Sequence, residues 1–304
     1  MLIKAIQHFH ADIVYHRSLE TTALIKAIAR NTKVVVEING NEIGKLSSQS
    51  RKYLRKTFDL LKIALFKSFL KRFLSIHQGL IFVTYELQKI YTQLIDQKNP
   101  SPQSIVIPNS INIDEFKWRK TPRSLVGDKV KLAFVGTPNL PWHGVHIIVK
   151  LAERTQDLFE FHIIGEDLLQ VSPIPSNIIK HGFLSKDKYR DILAQCDIGI
   201  GTLSIKAAKI TEACALKVRE YAAAGLPFIY AYKDTAFLSR GTPEWALELP
   251  TDEATLLQRL DVIKDFCFKF RDYVVSEEEV RRYFDFEAGE SNRLNFFEKL
   301  IHEM

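Results

Sequence analysis

Residues 197–234 read DIGIGTLSIKAAKITEACALKVREYAAAGLPFIYAYKD. A short apolar strand (DIGIGTL) runs into a loop, a helix starts near Ala215 and stops at Gly225, and a second apolar strand (PFIYAY) follows. Glycine just past the last helical residue, with proline two positions on, is a helix stop. Strands apolar on both faces and separated by a helix belong to a parallel sheet covered on both sides. The helix start leaves unpaired N–H groups around Leu216–Arg219, and those groups with the helix dipole favour an anion. Lys217 and Arg219 add positive charge there. Glu212 lies in the loop before the helix and Glu220 near its middle, an E-x7-E spacing. The expected receptor takes sugar hydroxyls at Glu212, phosphates at the helix end and a ribose diol at Glu220. Spacing alone would equally suit a loop acid and a solvated helix acid paired with Lys217 or Arg219. The strand, loop, helix, AAAGLP and strand around the two acids favour the receptor.

Working outward, the same alternation continues in both directions. Strands are expected at 131–136, 160–165, 178–181, 197–202 and 227–232, with helices near 144–155, 186–195, 215–224 and 253–270. A polar stretch, 118–129, reads as a linker. Before it come strands at 12–15, 33–38, 79–84 and 104–107, with helices at about 17–30, 50–76 and 85–95. Alternating strands and helices over 304 residues predict two α/β domains. Only four strands precede the linker, and the glycine-rich first turn of a doubly wound domain is not among them. The first domain is therefore expected to be truncated or reduced.

Composition narrows the classes. Hydrophobic residues make up 46% and charged residues 26%, which is globular. No signal peptide and no spanning apolar run is legible, so a cytoplasmic protein is expected. Cys196, Cys214 and Cys267 are widely spaced and odd in number, fitting small buried residues better than disulfides or zinc. The net charge of +6 is local: residues 51–76 hold eight Lys/Arg and one Asp, and the rest is nearly neutral. That argues against a nucleic-acid protein. The same segment interleaves its cations with Leu, Phe and Ile. It reads either as a helix with one solvated face or as a surface for anionic membrane, and the membrane reading is favoured.

These pieces, in order, resemble glycosyltransferase family 4 of the GT-B fold. The family carries E-x7-E at this turn, with an LK-x-REY-x-A-x-G-x-P run in one branch. VIPNSINIDEF (106–116) resembles its interdomain segment, and LAFVGTPNLPWHGVHIIVKLAE (132–153) the first strand, loop and helix of its donor domain. FHIIGE (161–166) and HGFLS (181–185) resemble the next strands, GLIFVTYELQKIY (79–91) the end of the acceptor-side domain, and YFDFEAGESNRLNFFEKLI (283–301) the terminal helix. The resemblance implies two Rossmann-like, doubly wound domains facing a cleft, the N-terminal one incomplete. Their expected bounds are 1–117 (acceptor side), 118–129 (linker), 130–280 (donor side) and 281–304 (a helix returning to the N-terminal domain).

It implies roles as well. Glu212, Asn39 and His143 are the candidate catalytic residues. Gly136, Thr137, Gly165, Phe183, Lys206, Lys209, Lys217, Val218 and Glu220 are the candidate donor-binding residues. The family often has Arg after the glycine matching Gly136, Lys before the next helix, and His where Asn39 stands. Thr137, His143 and Asn39 depart from that pattern, and Asn39 cannot act as acid or base. Lys217, Lys206 or Lys209 are the substitutes expected at the phosphates. Retaining transfer of a hexose from a UDP- or GDP-sugar to a glycan or lipid-linked acceptor follows, in cell-surface polysaccharide synthesis, with no metal and no cofactor. The competing reading is a silent nucleotide-sugar-binding half-protein that needs a missing N-terminal segment or a partner.

Overall fold

The computed structural model describes residues 5–302 apart from 7, 18, 20–21, 49–55, 96–100, 117, 121–128, 167 and 169–172. The chain divides into two units, Met1–Pro108 with Glu287–Met304, and Asn109–Phe286. The expected helical residues 50–55 lie outside the described ones.

The first unit is a parallel sheet in the order β1 (Ile13–His16), β2 (Lys33–Ile38), β3 (Gly79–Phe82), β4 (Gln103–Val106). Its crossovers carry α1 (Thr22–Ile28), α2 (Glu42–Ser48), α3 (Lys56–Leu74) and α4 (Tyr85–Thr92). Side chains alternate across a strand, so neighbours in sequence serve opposite faces. Val14 and Val34 meet Ile25 and Ile28 of α1. Ile13, Tyr15, Val35, Ile81 and Ile105 meet Phe296, Phe297 and Leu300 of the C-terminal helix Phe286–His302. Right-handed crossovers taken always in one direction put their helices on one face, and the C-terminal helix covers the other. Gly79 lets it come close, since a Cβ there would stand 2.6 Å from Leu300 and 2.9 Å from Phe296. Lys33 then caps the end of that helix, its Nζ donating to the carbonyls of Leu300 and Ile301.

The second unit has a six-stranded parallel sheet in the order β12-β10-β8-β5-β6-β7. Its strands and helices run β5 (Val130–Val135), α5 (Val145–Arg154), β6 (Phe159–Ile164), β7 (Ile178–Gly182), α6 (Lys186–Ala194), β8 (Ile198–Ile200), β9 (Glu212–Ala213), α7 (Leu216–Ala223), β10 (Phe228–Tyr230), β11 (Lys233–Asp234), β12 (Ala246–Glu248), α8 (Glu253–Gln258), α9 (Leu260–Phe270) and α10 (Glu277–Phe284). Growth goes outward from β5 to β6 and β7, then resumes on its other side with β8. Such a reversal of strand order opens a crevice at the carboxyl ends of the two central strands. The helix expected over 253–270 is two helices joined at Arg259, and β12 and the small β9–β11 pair carry too little periodicity to be legible. The start of the polar stretch 118–129 is anchored: Arg119 donates to Ala223 O at 3.0 Å, and the buried Lys120 to Asp197 O and Arg271 O at 2.9 Å. Residues 121–128 lie outside the described ones.

Candidate functional site

The crevice between β5 and β8 is built by glycines. Gly199 and Gly201 sit two apart on β8 and its exit, so both face α7. A Cβ at Gly199 would run into the Tyr221 ring, and one at Gly201 would stand 2.9 Å from Val218. Glycine in a strand marks such a close approach. Tyr221 locks the arrangement: its hydroxyl accepts from Val135 N at 2.9 Å and donates to Ile200 O at 3.2 Å. Helix α7 is thereby fixed across the ends of β5 and β8. Its N-cap residue, Ala215, offers no side-chain acceptor to the first N–H groups.

On the β5 side, Gly136 follows the strand, and a Cβ there would stand 2.6 Å from Phe134 and 2.8 Å from His143 Nδ1. Gly165, at φ +78°, lies against the carbonyl of Gly136 with no room for a side chain. Its N–H donates to Gly182 O at 2.8 Å. Bare backbone thus lines the carboxyl edge of β5, β6 and β7. Thr137 is exposed beside it, and Phe183, after β7, is 72% exposed.

Two polar groups in this crevice are buried, the first without a hydrogen-bond partner and the second beside the backbone of Thr137. One is Lys217 Nζ, at the second residue of α7, 4.2 Å from the centroid of the Phe134 ring. The stem of Lys217 is half-exposed while its amine is enclosed. Burial lowers the amine pKa to about 7, with Glu220 pulling weakly the other way. The second is His143 Nδ1, in the turn Pro141–His143, with its ring 5.5 Å from that of Phe134. Burial, then Lys217, lowers the His143 pKa to about 3, so the imidazole is neutral. Backbone amides, an enclosed amine and a neutral imidazole thus meet at the start of α7, groups whose chemistry suits an anion.

The two acids flank α7. Glu212 is buried on β9, and Oε1 accepts from Thr235 Oγ1 at 2.8 Å. Glu220 turns toward α6, where Tyr189 donates to it at 3.5 Å, and burial raises its carboxyl pKa. Val218 is buried under α7. Lys206 and Lys209 are exposed in the loop before β9, Lys209 in the left-handed region at φ 53°.

Arg219 departs from the expectation that it adds charge at the helix start. Its guanidinium is fully buried and grips Asp234 with both nitrogens, Nη2 to Oδ1 at 2.6 Å. It also donates to Asn109 O at 3.1 Å and Cys214 Sγ at 2.9 Å, and lies 4.4 Å over the Phe284 ring. Helical geometry turns residues two apart to opposite sides of the axis, so the Lys217 amine goes to the Phe134 side of α7 and the Arg219 guanidinium to the Asp234 side. Burial pushes the Cys214 thiol up to about 12, making it an inert core group.

Asn39 belongs to the first unit, one residue beyond β2. It is exposed and lines a pocket of about 570 Å3 with Arg17, Glu37, Glu42, Lys45 and Phe66. Glu37, buried within β2, accepts from Tyr15 and pairs with Arg17 at 3.0 Å and Arg293 at 3.4 Å. This cluster was missed in the sequence, although an acid inside VVVEI is a signal for a buried, paired charge. Among the described residues, no group of three or more His, Cys, Asp or Glu is arranged to hold a metal ion.

No protein-family model and no curated protein matches the sequence. Solved structures do. A sucrose-phosphate synthase from Thermosynechococcus elongatus aligns at TM-score 0.66 and 14% identity, over 100% of this chain and 78% of that one. Anabaena HepE in complex with UDP aligns at TM-score 0.66 and 13% identity, over 98% and 82%, and the same protein has been solved with UDP-glucose. A glycosyltransferase from Rickettsia africae aligns at TM-score 0.62 and 14% identity, over 100% and 80%. At such identities the likeness is one of fold: this chain has the α/β fold of the GT-B glycosyltransferases, with parallel sheets of four and six strands.

Proposed function

We propose that the protein is a retaining, metal-independent glycosyltransferase. It moves a hexose from a UDP- or GDP-sugar to a hydroxyl of a glycan or lipid-linked acceptor, in cell-surface polysaccharide synthesis. The observation that carries this reading is the enclosed, unpartnered amine of Lys217 at the start of α7, beside the buried, neutral imidazole of His143. An enclosed amine with no hydrogen-bond acceptor, and only a weak pull from Glu220, is stabilised by an arriving anion. The location at a strand-order reversal suits a nucleotide, and HepE, of the same fold, binds UDP-glucose.

In this reading the diphosphate lies against the first amides of α7 and Lys217, with bare backbone at Gly136 and Gly165 allowing close approach. Glu220 takes the ribose diol and Glu212 the sugar hydroxyls. Thr137, Lys206 and Lys209 surround the phosphates, and Phe183 and Val218 border the nucleoside. The bond from the anomeric carbon to the diphosphate oxygen breaks as the acceptor hydroxyl attacks, and the acceptor proton passes to the departing phosphate. Charge builds on that phosphate, where Lys217 and the amides are already oriented, so the contribution is positioning and electrostatics. Residues 1–117 form the acceptor-side domain and 130–280 the donor-side domain.

The test is hydrolysis and transfer with a panel of UDP- and GDP-sugars, with Glu212→Ala as control. Turnover of one donor and its loss in the variant are expected. Equal turnover in Glu212→Ala would remove Glu212 from the site. Tight nucleotide binding with no turnover would favour the silent-module reading, for which Asn39 already speaks, since an amide moves no proton.

A further inference from the structure

We propose that the outer face of α3 is a docking surface for an anionic phospholipid bilayer. Helix α3 is anchored from one side only: Leu70, Phe73 and Leu74 are buried, and the rings of Phe66, Phe69 and Phe73 follow one another at about 6 Å. On the other side Leu60, Leu61 and Leu65 are 60%, 56% and 62% exposed. Three adjacent leucines open to water on one helix are an apolar patch that monomeric surfaces avoid. At 100° per residue, Leu61 and Leu65 share a stripe with Ser68 and Arg72, and Leu60 and Ala64 share one with Lys67 and Lys71. The outer face is therefore apolar toward the start of the helix and cationic toward its end. Lys62, Lys67, Lys71 and Arg72 are exposed, and residues 60–76 contain no Asp or Glu.

The pattern selects among occupants. A bilayer offers acyl chains and phosphates side by side, matching leucines flanked by cations. A second copy of the chain would bring the same cations against each other. A nucleic acid would engage the cations and leave the leucines in water. No helix among the described residues is long and apolar enough to cross a membrane, so the contact is peripheral. This surface lies on α3, apart from the nucleotide crevice, and its failure would leave the transferase reading standing.

The experiment is vesicle flotation of the full chain at low salt, on phosphatidylcholine with and without phosphatidylglycerol. Binding to the anionic vesicles is expected to be stronger by at least about ten-fold, because each surface cation adds to the attraction. Leu60→Gln, Leu61→Gln and Leu65→Gln combined should lower that binding about ten-fold or more, with an unchanged melting temperature. Lys67→Ser, Lys71→Ser and Arg72→Ser combined, all on exposed positions, should abolish the preference for anionic lipid, and this variant decides the matter if the leucine variant fails to fold. Absence of vesicle binding, equal binding to both vesicles, or leucine variants that bind like the parent would each overturn the proposal. Sedimentation as a dimer that the leucine changes dissociate, without lipid binding, would overturn it in favour of self-association.

Discussion

The carboxyl edges of the two sheets solve the problem of a buried charge in opposite ways. In the first unit Glu37 is buried and surrounded by Tyr15, Arg17 and Arg293. In the second, Lys217 carries its amine into an enclosed crevice and meets an aromatic ring and a neutral imidazole. The first cluster is satisfied by the protein itself. The second is left incomplete, and an incomplete buried charge is tolerated where a ligand completes it. The contrast separates a charge paired within the fold from one enclosed by a ring and a neutral imidazole, which the proposed function assigns to binding.

The largest expected effect tests the structural member of the pair. Glu37→Gln removes the charge that pairs with Arg17 and Arg293, leaving Arg293 only Glu290, and offers Tyr15 a neutral amide oxygen in place of a carboxylate. Breaking a buried ion pair from one side costs several kcal/mol, less here because Arg17 is exposed and can turn to water. A loss of about 2–3 kcal/mol is expected in urea denaturation, with nucleotide affinity unchanged. A loss below about 0.5 kcal/mol would remove the distinction.

Lys217→Met should do the reverse. Stability should hold or rise, since an unpartnered buried amine is replaced by an apolar chain of similar length. Affinity for UDP or GDP should fall about 10–100-fold by calorimetry, the weight of one charge-assisted hydrogen bond. The pH profile sharpens this. The empty amine titrates near 7, and a bound diphosphate raises it. Below pH 7 the amine is charged in both states and adds no slope of its own. Above pH 7 the free protein must take up a proton to bind, so affinity falls as pH rises, by up to about ten-fold per unit. Lys217→Met should lack this slope; a slope that survives in the variant would assign it elsewhere. The smallest effect belongs to Tyr189→Phe. At 3.5 Å its hydrogen bond to Glu220 is at the outer limit, and a change in affinity under about three-fold is expected. A larger loss would make Tyr189 part of the nucleoside contact.

Much of the architecture was open to reading because it is local. Strands β2, β3, β5 and β6 are short apolar runs between helices, the mark of strands covered on both faces. Helix α7 is bounded by Ala215 and Gly225 as its turn chemistry requires. Gly199 and Gly201 stand out by their spacing, though their reason, the close seat of Tyr221 and Val218, is tertiary. The two-residue strands β9 and β11 were illegible because such a pair has no period, yet they hold Glu212 against Thr235. The Glu37 cluster joins residues 15, 17, 37 and 293, and no local signal links positions so far apart.

The alternation of strand and helix, the parallel sheets and the bounds of α7 are written in the sequence, because turn chemistry and apolar patterning act over a few residues. Where the cations of Lys217 and Arg219 end up is set by packing: the amine lies against Phe134 and the guanidinium on Asp234. The helix places them on opposite sides, but the seat of Tyr221 on Gly199 sets which side faces Asp234 and which the crevice. Packing across the sheet made one of the two charges a strut and left the other without a hydrogen-bond partner.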